Sequence, residues 1–246
     1  MSSLTYTRYE MLRTFRNRRF FIFSLIFPLI LFYTVAGPNR DEQDFAGTGI
    51  SFPVYSMVGM VSWGTMAAVV AGGARIAAER SIGWNRQLRL TPLRTRTYLA
   101  TKVLAGYAVA VVSILVLYGA GLTLGVDLSA SSWFRMTGLI LVGLIPFAAL
   151  GILLGHLLSV DSMGPALGGI TSLFALLGGA WGPLGGGSGV VHELVQLIPS
   201  YWLVQAGQSA ITSDAWPVKG WIVVAVWTVV LALLAMRAYQ RDTSRV

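Results

Sequence analysis

Residues 103–125 read Val103-Leu104-Ala105-Gly106-Tyr107-Ala108-Val109-Ala110-Val111-Val112-Ser113-Ile114-Leu115-Val116-Leu117-Tyr118-Gly119-Ala120-Gly121-Leu122-Thr123-Leu124-Gly125, without one charged side chain. A run of this length crosses a hydrocarbon core of about 30 Å as a helix. Five other runs take the same reading, at 20–36, 54–74, 136–160, 163–184 and 219–236. Of the 246 residues 55% are hydrophobic and 11% charged, with mean hydropathy +0.68, whereas a soluble domain carries charge on about a quarter of its residues. The expected fold is an all-α integral membrane protein, a single transmembrane domain over residues 1–246 with six transmembrane helices. The first run follows Arg13, Arg16, Arg18 and Arg19, as a signal peptide would. Its apolar core is long and bulky for a signal, and Thr34-Val35-Ala36 is a poor cleavage site, so it is read as a retained helix.

Lys and Arg fix the expected orientation, because positively charged short loops resist translocation. Fifteen of the eighteen fall in three segments that six spans place on one side. The N-terminal arm holds Arg8, Arg13, Arg16, Arg18 and Arg19. The loop after the second span holds Arg75, Arg80, Arg86, Arg89, Arg94, Arg96 and Lys102, and the tail holds Arg237, Arg241 and Arg245. The other side receives Arg40, Arg135 and Lys219 with the acidic Asp41, Glu42 and Asp44. The expectation is a multi-pass protein of the inner (plasma) membrane with both termini cytoplasmic. The net charge of +8 is better explained by topology and anionic lipid than by nucleic acid, since the basic residues lie beside apolar runs.

Residues 1–19 are expected to form an amphipathic interface helix. Leu4, Met11, Leu12 and Phe15 share a face, although Arg8 intrudes on it; a lipid-surface anchor and a partner contact are both open readings. Residues 185–211 begin with Gly185-Gly186-Gly187-Ser188-Gly189 and continue too polar to span yet too apolar for a solvated loop. An external re-entrant segment of short helices packed on protein is expected, with Pro199 ending the first and Ser200 to Ile211 forming the second.

The residues offer little for catalysis. Cysteine is absent, which removes disulfides and thiolate chemistry. Two histidines are too few for a His-rich metal site, and His192-Glu193 lacks the second His of a zincin. Neither Lys102 nor Lys219 follows a glycine, so there is no phosphate-binding loop. All ten acidic residues lie outside the spans as drawn, which argues against an ion-coupled antiporter. His156, near Asp161 at the end of the fourth span, reads as a packed or interfacial residue. No catalytic residue, metal or bound cofactor is expected. The glycine pairs Gly121/Gly125, Gly151/Gly155 and Gly164/Gly168 permit close backbone approach, within the protomer first and between protomers second.

The most informative segment is Ala78-Glu79-Arg80-Ser81-Ile82-Gly83-Trp84-Asn85-Arg86-Gln87-Leu88-Arg89-Leu90-Thr91-Pro92-Leu93. A helix is predicted over 79–92, stopped by Pro92. Trp84 and Leu88 align while Ile82 and Leu90 point elsewhere, a pattern that fits burial by protein on several sides. Glu79-Arg80-x-x-Gly83, then Arg86-x-x-Arg89-Leu90-Thr91-Pro92, then Tyr98 to Lys102, resembles the signature segment of ABC type-2 transporter permeases, including daunorubicin-resistance-type drug exporters. The N-terminal arm, the six spans and the Pro199 segment extend the likeness over nearly the whole chain.

The resemblance implies that residues 79–92 form a cytoplasmic coupling helix, with Glu79, Arg80, Gly83, Arg86, Arg89 and Pro92 seating on a separate ATPase subunit. Further implied are a dimer of such ATPases carrying ATP and Mg, a second permease subunit, identical or closely related, and contact with membrane lipid but not nucleic acid. The expected function is export of a lipophilic or amphipathic cargo, an antibiotic, lipopeptide or lipid, because no charge lines the spans. The substrate-binding residues are not legible. Rival readings are an integral-membrane lipid-modifying enzyme and a non-transporting scaffold or sensor.

Overall fold

In the computed structural model, residues 3–17, 22–47, 49–84, 87, 95–183, 189–212 and 214–244 are described. The centre of the molecule is the helix whose apolar residues cover every face. Helix α3 (Phe52–Val70) continues through a slight break at Ala71 into α4 (Gly72–Ser81). In the most apolar part of this rod 89% of positions are buried. A helix apolar all round is stable in that place because neighbours surround it. Its neighbours are α2 (Phe27–Ala36), entered through a π-helical turn at Ile22–Ile26, and α5 (Thr95–Thr123). On other sides lie α7 (Ile145–Leu157) and α8 (Val160–Leu177), and α6 (Ala130–Gly143) leads into α7. Phe32, Met57, Val58, Met66, Ile114, Leu117, Ile140, Leu144, Phe147 and Leu203 meet in one core.

Local sequence explains where the helices start and bend. Ser129 accepts a hydrogen bond from the Ser132 amide at 3.1 Å and opens α6. Pro146, which has no N–H to donate, separates α6 from α7 at Leu144, so one apolar stretch becomes two bent halves. Ser159 caps α8 in the same way. Gly151 and Gly155 of α7 lie against Gly73 of α4 so closely that a Cβ on Gly73 would stand 2.1 Å from the Gly151 carbonyl oxygen. That pair packs within the chain. Gly164 and Gly168 of α8 have open space around them instead.

The last helix, α11 (Val218–Ser244), packs along α7. It and α8 form the rim: 22% and 17% of their most apolar positions are buried. Trp221, Ile222, Val226, Val229, Leu233 and Met236 of α11 face outward. Such a band of exposed apolar residues is intelligible in lipid rather than in water. Five helices are long and apolar enough to cross a membrane, and Ser24–Ala36 is a shorter apolar helix. The protein is therefore an all-α, multi-pass membrane protein, with no strand among the described residues. The helices run further than the apolar runs suggest: the third begins at Thr95 rather than 103 and the last reaches Ser244 rather than 236.

Between α8 and α11 the chain forms α9 (Val190–Val195) and α10 (Pro199–Ile211). Pro199 stands in the first turn of α10 rather than ending α9, which stops at Val195, because a proline at that position sacrifices an amide that has no helical partner. Trp202, Leu203, Ala206 and Ala210 bury α10 against α6 and α3. The Trp202 indole donates to the Gln196 carbonyl at 2.8 Å and the Trp227 indole to that of Leu197 at 2.8 Å, which pins both short helices to the bundle. Residues 184–188 lie outside the described residues.

Candidate functional site

At one end of the bundle α1 (Ser3–Arg16) lies across the ends of α4 and α5. The face it turns to them carries Tyr6, Glu10 and Thr14, spaced one turn apart and all buried. Leu4, Leu12 and Phe15, part of the apolar face read from the sequence, are exposed. The helix is thus held by its polar face and presents its apolar face outward.

That polar face ends in a buried ion network. The Lys102 ammonium donates to a Glu10 oxygen and to Glu79 Oε1, both at 2.6 Å. Arg13 donates to the same Glu79 oxygen at 2.8 Å, and the Tyr98 hydroxyl to Glu79 Oε2 at 2.7 Å. Arg75 stands 3.7 Å from Glu10 and donates to the Thr14 hydroxyl. Lys102, Glu10 and Glu79 are 1%, 4% and 3% exposed, so three charges are almost fully withdrawn from water. Such burial is tolerable because each carboxylate has a cation in direct contact. Tyr6 packs 6.3 Å from Tyr98, ring to ring. Burial, reinforced by the Glu79 and Glu10 carboxylates, holds the Tyr6 hydroxyl above the usual phenol range.

The next residue on α4 builds a second knot. Successive helical residues point about 100° apart, so Glu79 faces α1 and α5 while Arg80 faces α7 and α11. Arg80 donates to the carbonyls of His156 and of Leu158, the latter at 2.6 Å. It thereby occupies acceptors that the end of α7 leaves unpaired, where a cation is also favoured by the helix dipole. Asp242 of α11 lies 3.7 Å from Arg80 and 3.2 Å from the ring nitrogen Nδ1 of His156. His156 packs edge-on to Tyr239, whose hydroxyl is 3.0 Å from that of Thr95.

Glu79 and Arg80 thus belong to the last turns of α4, not to a separate helix over 79–92. The helix ends at Ser81, and Gly83 adopts φ +71, a left-handed conformation that terminates it. Trp84 and Gln87 beyond it are helical again. Ile82 is 72% and Trp84 37% exposed, so this chain does not bury them. Arg86, Arg89 and Pro92 lie outside the described residues. Among the described residues no group of three or more His, Asp or Glu is placed to hold a metal.

Sequence reading singled out Glu79 and Arg80, placed Tyr98 to Lys102 in the signature segment without giving them a role, and missed Glu10, Arg75 and Asp242. A signal existed: Glu10 is the sole acid before Asp41, and Glu79 the sole acid between Asp44 and Asp127, each in a strongly basic segment.

Residues 33–237 match the family described as ABC-2 family transporter protein. The chain is also similar to YvfS of Bacillus subtilis (strain 168), a protein named as a transport permease, with 33% identity over 199 residues covering 78% of each chain.

Proposed function

We propose, from the premise that this chain belongs to the ABC-2 transporter family, that it is the transport permease subunit of an ATP-driven exporter, with its α1 end toward the cytoplasm. In this reading a separate ATPase subunit, paired with a second copy, binds ATP and Mg. A second permease subunit, identical or closely related, completes the path, and the host bilayer is the inner membrane. The cargo is lipophilic or amphipathic, consistent with apolar helix runs outside which all the acidic residues lie.

One observation carries the proposal: the exposed Ile82 and Trp84 sit immediately past the helix end that two ion networks clamp. Apolar side chains at the basic end, beside an arginine-rich segment, suit a protein partner better than water. Because Glu79 is buried, its part is to hold α4 to α1 and α5, so that displacement of the docked segment moves the transmembrane rod as a unit. Arg80 does the same toward α7 and α11. Gly83 is the pivot, and Trp84, Arg86 and Arg89 make the contact.

The test is purification of the tagged chain from its native membrane in mild detergent, with identification of co-purifying proteins and assay of ATP hydrolysis. Wild type is expected to bring a stoichiometric ATPase, and a Trp84→Ala, Arg86→Glu, Arg89→Glu variant to lose it while eluting as an intact membrane protein. Absence of any ATPase from wild type would overturn the reading and favour a scaffold or a lipid-modifying enzyme.

A further inference from the structure

At the end of the bundle opposite the ion networks, two hollows meet at Tyr55. One is a cleft of about 290 Å³ between α2, α3 and the turn after α8. Leu31 and Val35 of α2 line it with Phe52, Ser56 and Met60 of α3 and Trp181 of that turn. Val35 and Trp181 are exposed, so the cleft opens to the outside of the bundle. The other hollow, of about 140 Å³, lies between α9, α10 and the end of α8, with His192, Tyr201, Gln205 and Gln208 on its walls. Tyr55 borders both, and its hydroxyl donates to the Gly179 carbonyl at 2.7 Å. Gly179 lines the second hollow and Ala180 the first. One side chain and one turn of backbone thus form the boundary between an apolar space and a polar one.

Among the described residues no Lys, Arg, Asp or Glu lines either hollow. A charged group placed there would lose its hydration without meeting an opposite charge. What the walls offer is neutral hydrogen bonding. Gln205 donates to Gln208 Oε1 at 2.9 Å, a bond that engages only part of the donors and acceptors of two amides. Lys219 donates to Gln196 Oε1, which turns the Gln196 amide nitrogen to His192 Nε2 at 2.6 Å. A neutral His192 that accepts there carries its proton on Nδ1 and is a donor. In the apolar cleft Ser56 is 4% exposed and its hydroxyl has no hydrogen-bond partner. Such a group is costly to bury unless something bonds to it.

We infer that the two hollows form one binding site for an uncharged amphiphile, its hydrocarbon chain beside Leu31, Met60 and Trp181 and a hydroxyl-rich head between Gln205, Gln208 and His192. The amides donate and accept, as the hydroxyls of a sugar do, and the Tyr55 and Tyr201 rings add apolar surface beside them. Ser56, next to Tyr55 in the chain, supplies a hydrogen bond to the oxygen that joins chain to head. An apolar body held by the walls, with a few placed polar groups fixing its orientation, is the usual form of such sites. The inference deepens the exporter reading and rests on it in taking the occupant as cargo. Of lipophilic and amphipathic molecules, the site selects those without charge.

The test uses the full chain in phosphatidylcholine nanodiscs and a dodecyl glucoside carrying a diazirine on its chain, with labelled peptides mapped by mass spectrometry. Saturable labelling is expected within residues 31–60 and at Ala180 or Trp181. Unlabelled dodecyl glucoside should compete, whereas dodecyl phosphate and dodecyltrimethylammonium, with the same chain and charged heads, should compete about tenfold less well. Gln205→Leu with Gln208→Leu is expected to weaken the saturable labelling on the order of tenfold, as the loss of two neutral hydrogen bonds. Phe134→Ala, at an exposed position on α6, should leave it unchanged. Equal competition by charged and uncharged heads in the wild type would overturn the proposal. So would labelling confined to the outer faces of α8 and α11, or unchanged labelling in a monodisperse double glutamine variant. The assay needs no ATPase. Selective labelling of a chain that brings no ATPase would leave the site standing and sink the exporter reading, whereas a co-purifying ATPase without selectivity would sink this inference alone.

Discussion

Lys102 holds two carboxylates at 2.6 Å in a place water hardly reaches, and this geometry makes the consequences of single changes unequal. Removing the ammonium leaves Glu10 and Glu79 facing each other with only Arg13 and Arg75, of which Arg13 is 59% exposed and screened by solvent. Breaking a buried pair by deleting one partner costs about 3–5 kcal/mol. Lys102→Met is therefore expected to lower the midpoint of tryptophan-monitored thermal unfolding in detergent by on the order of 10 °C. Adding Glu10→Gln and Glu79→Gln to the same chain removes the repulsion between the two carboxylates but leaves the charges of Arg75 and Arg13 facing neutral amides, so it should recover only part of the loss. A Lys102→Met variant as stable as wild type would show that the network contributes nothing to folding. The same reasoning separates Glu79 from Trp84 as experimental handles. Glu79→Ala reports first on the fold, whereas Trp84→Ala, at an exposed position, reports on what the chain touches.

At the scale of elements the contrast is between glycines that admit a neighbouring backbone and glycines that do not. A Cβ on Gly73 would meet the Gly151 carbonyl oxygen at 2.1 Å and its carbon at 2.9 Å, and backbone cannot move aside as a flexible side chain does. Gly73→Val is expected to abolish the monodisperse peak in size-exclusion chromatography. Gly168→Ala, where nothing lies within 4 Å, should leave that peak unchanged and gain up to about 1 kcal/mol of helix propensity. If both behave alike, the close approach of α4 and α7 is not what holds them together. These elements also show what a single sequence makes legible. Long uncharged runs announce the helices because hydrocarbon length sets them, and serine caps and Pro146 mark starts and bends locally. Helix ends were less visible: α5 begins at Thr95 because Tyr98 and Lys102, polar by type, find partners on α1 and α4. Those partners are 19 to 92 residues away in the chain, and no periodicity encodes a pairing at that distance. The N-terminal helix misled in the same way. Its apolar stripe was plain, yet the face that packs is Tyr6, Glu10 and Thr14, whose fitness for burial depends on Lys102 and Arg75.

For the whole molecule, the two ion networks bear on topology. Glu10 of α1 contacts Lys102 and Arg75, and Asp242 near the other terminus contacts Arg80, so both terminal segments meet the same end of α4. A chain whose ends lie on one side of a membrane crosses it an even number of times. The five long helices alone would give an odd count, so we propose that the shorter Ser24–Ala36 crosses as well. In the proposed orientation that shared side is the cytoplasm, as expected from the arginine asymmetry. A chain without cysteine allows a direct check by single-cysteine labelling with a membrane-impermeant maleimide in intact cells. Leu4→Cys and Gln240→Cys, both at exposed positions, are expected to stay unlabelled until the membrane is permeabilised. Asp41→Cys, whose native side chain is 94% exposed, should label at once. Labelling of Leu4→Cys together with Asp41→Cys, with Gln240→Cys protected, would mean that the first apolar helix does not cross. In that case the contacts of Glu10 with Lys102 and of Asp242 with Arg80 would not both exist in the membrane-embedded protein, because they fasten the two termini to one end of a single helix.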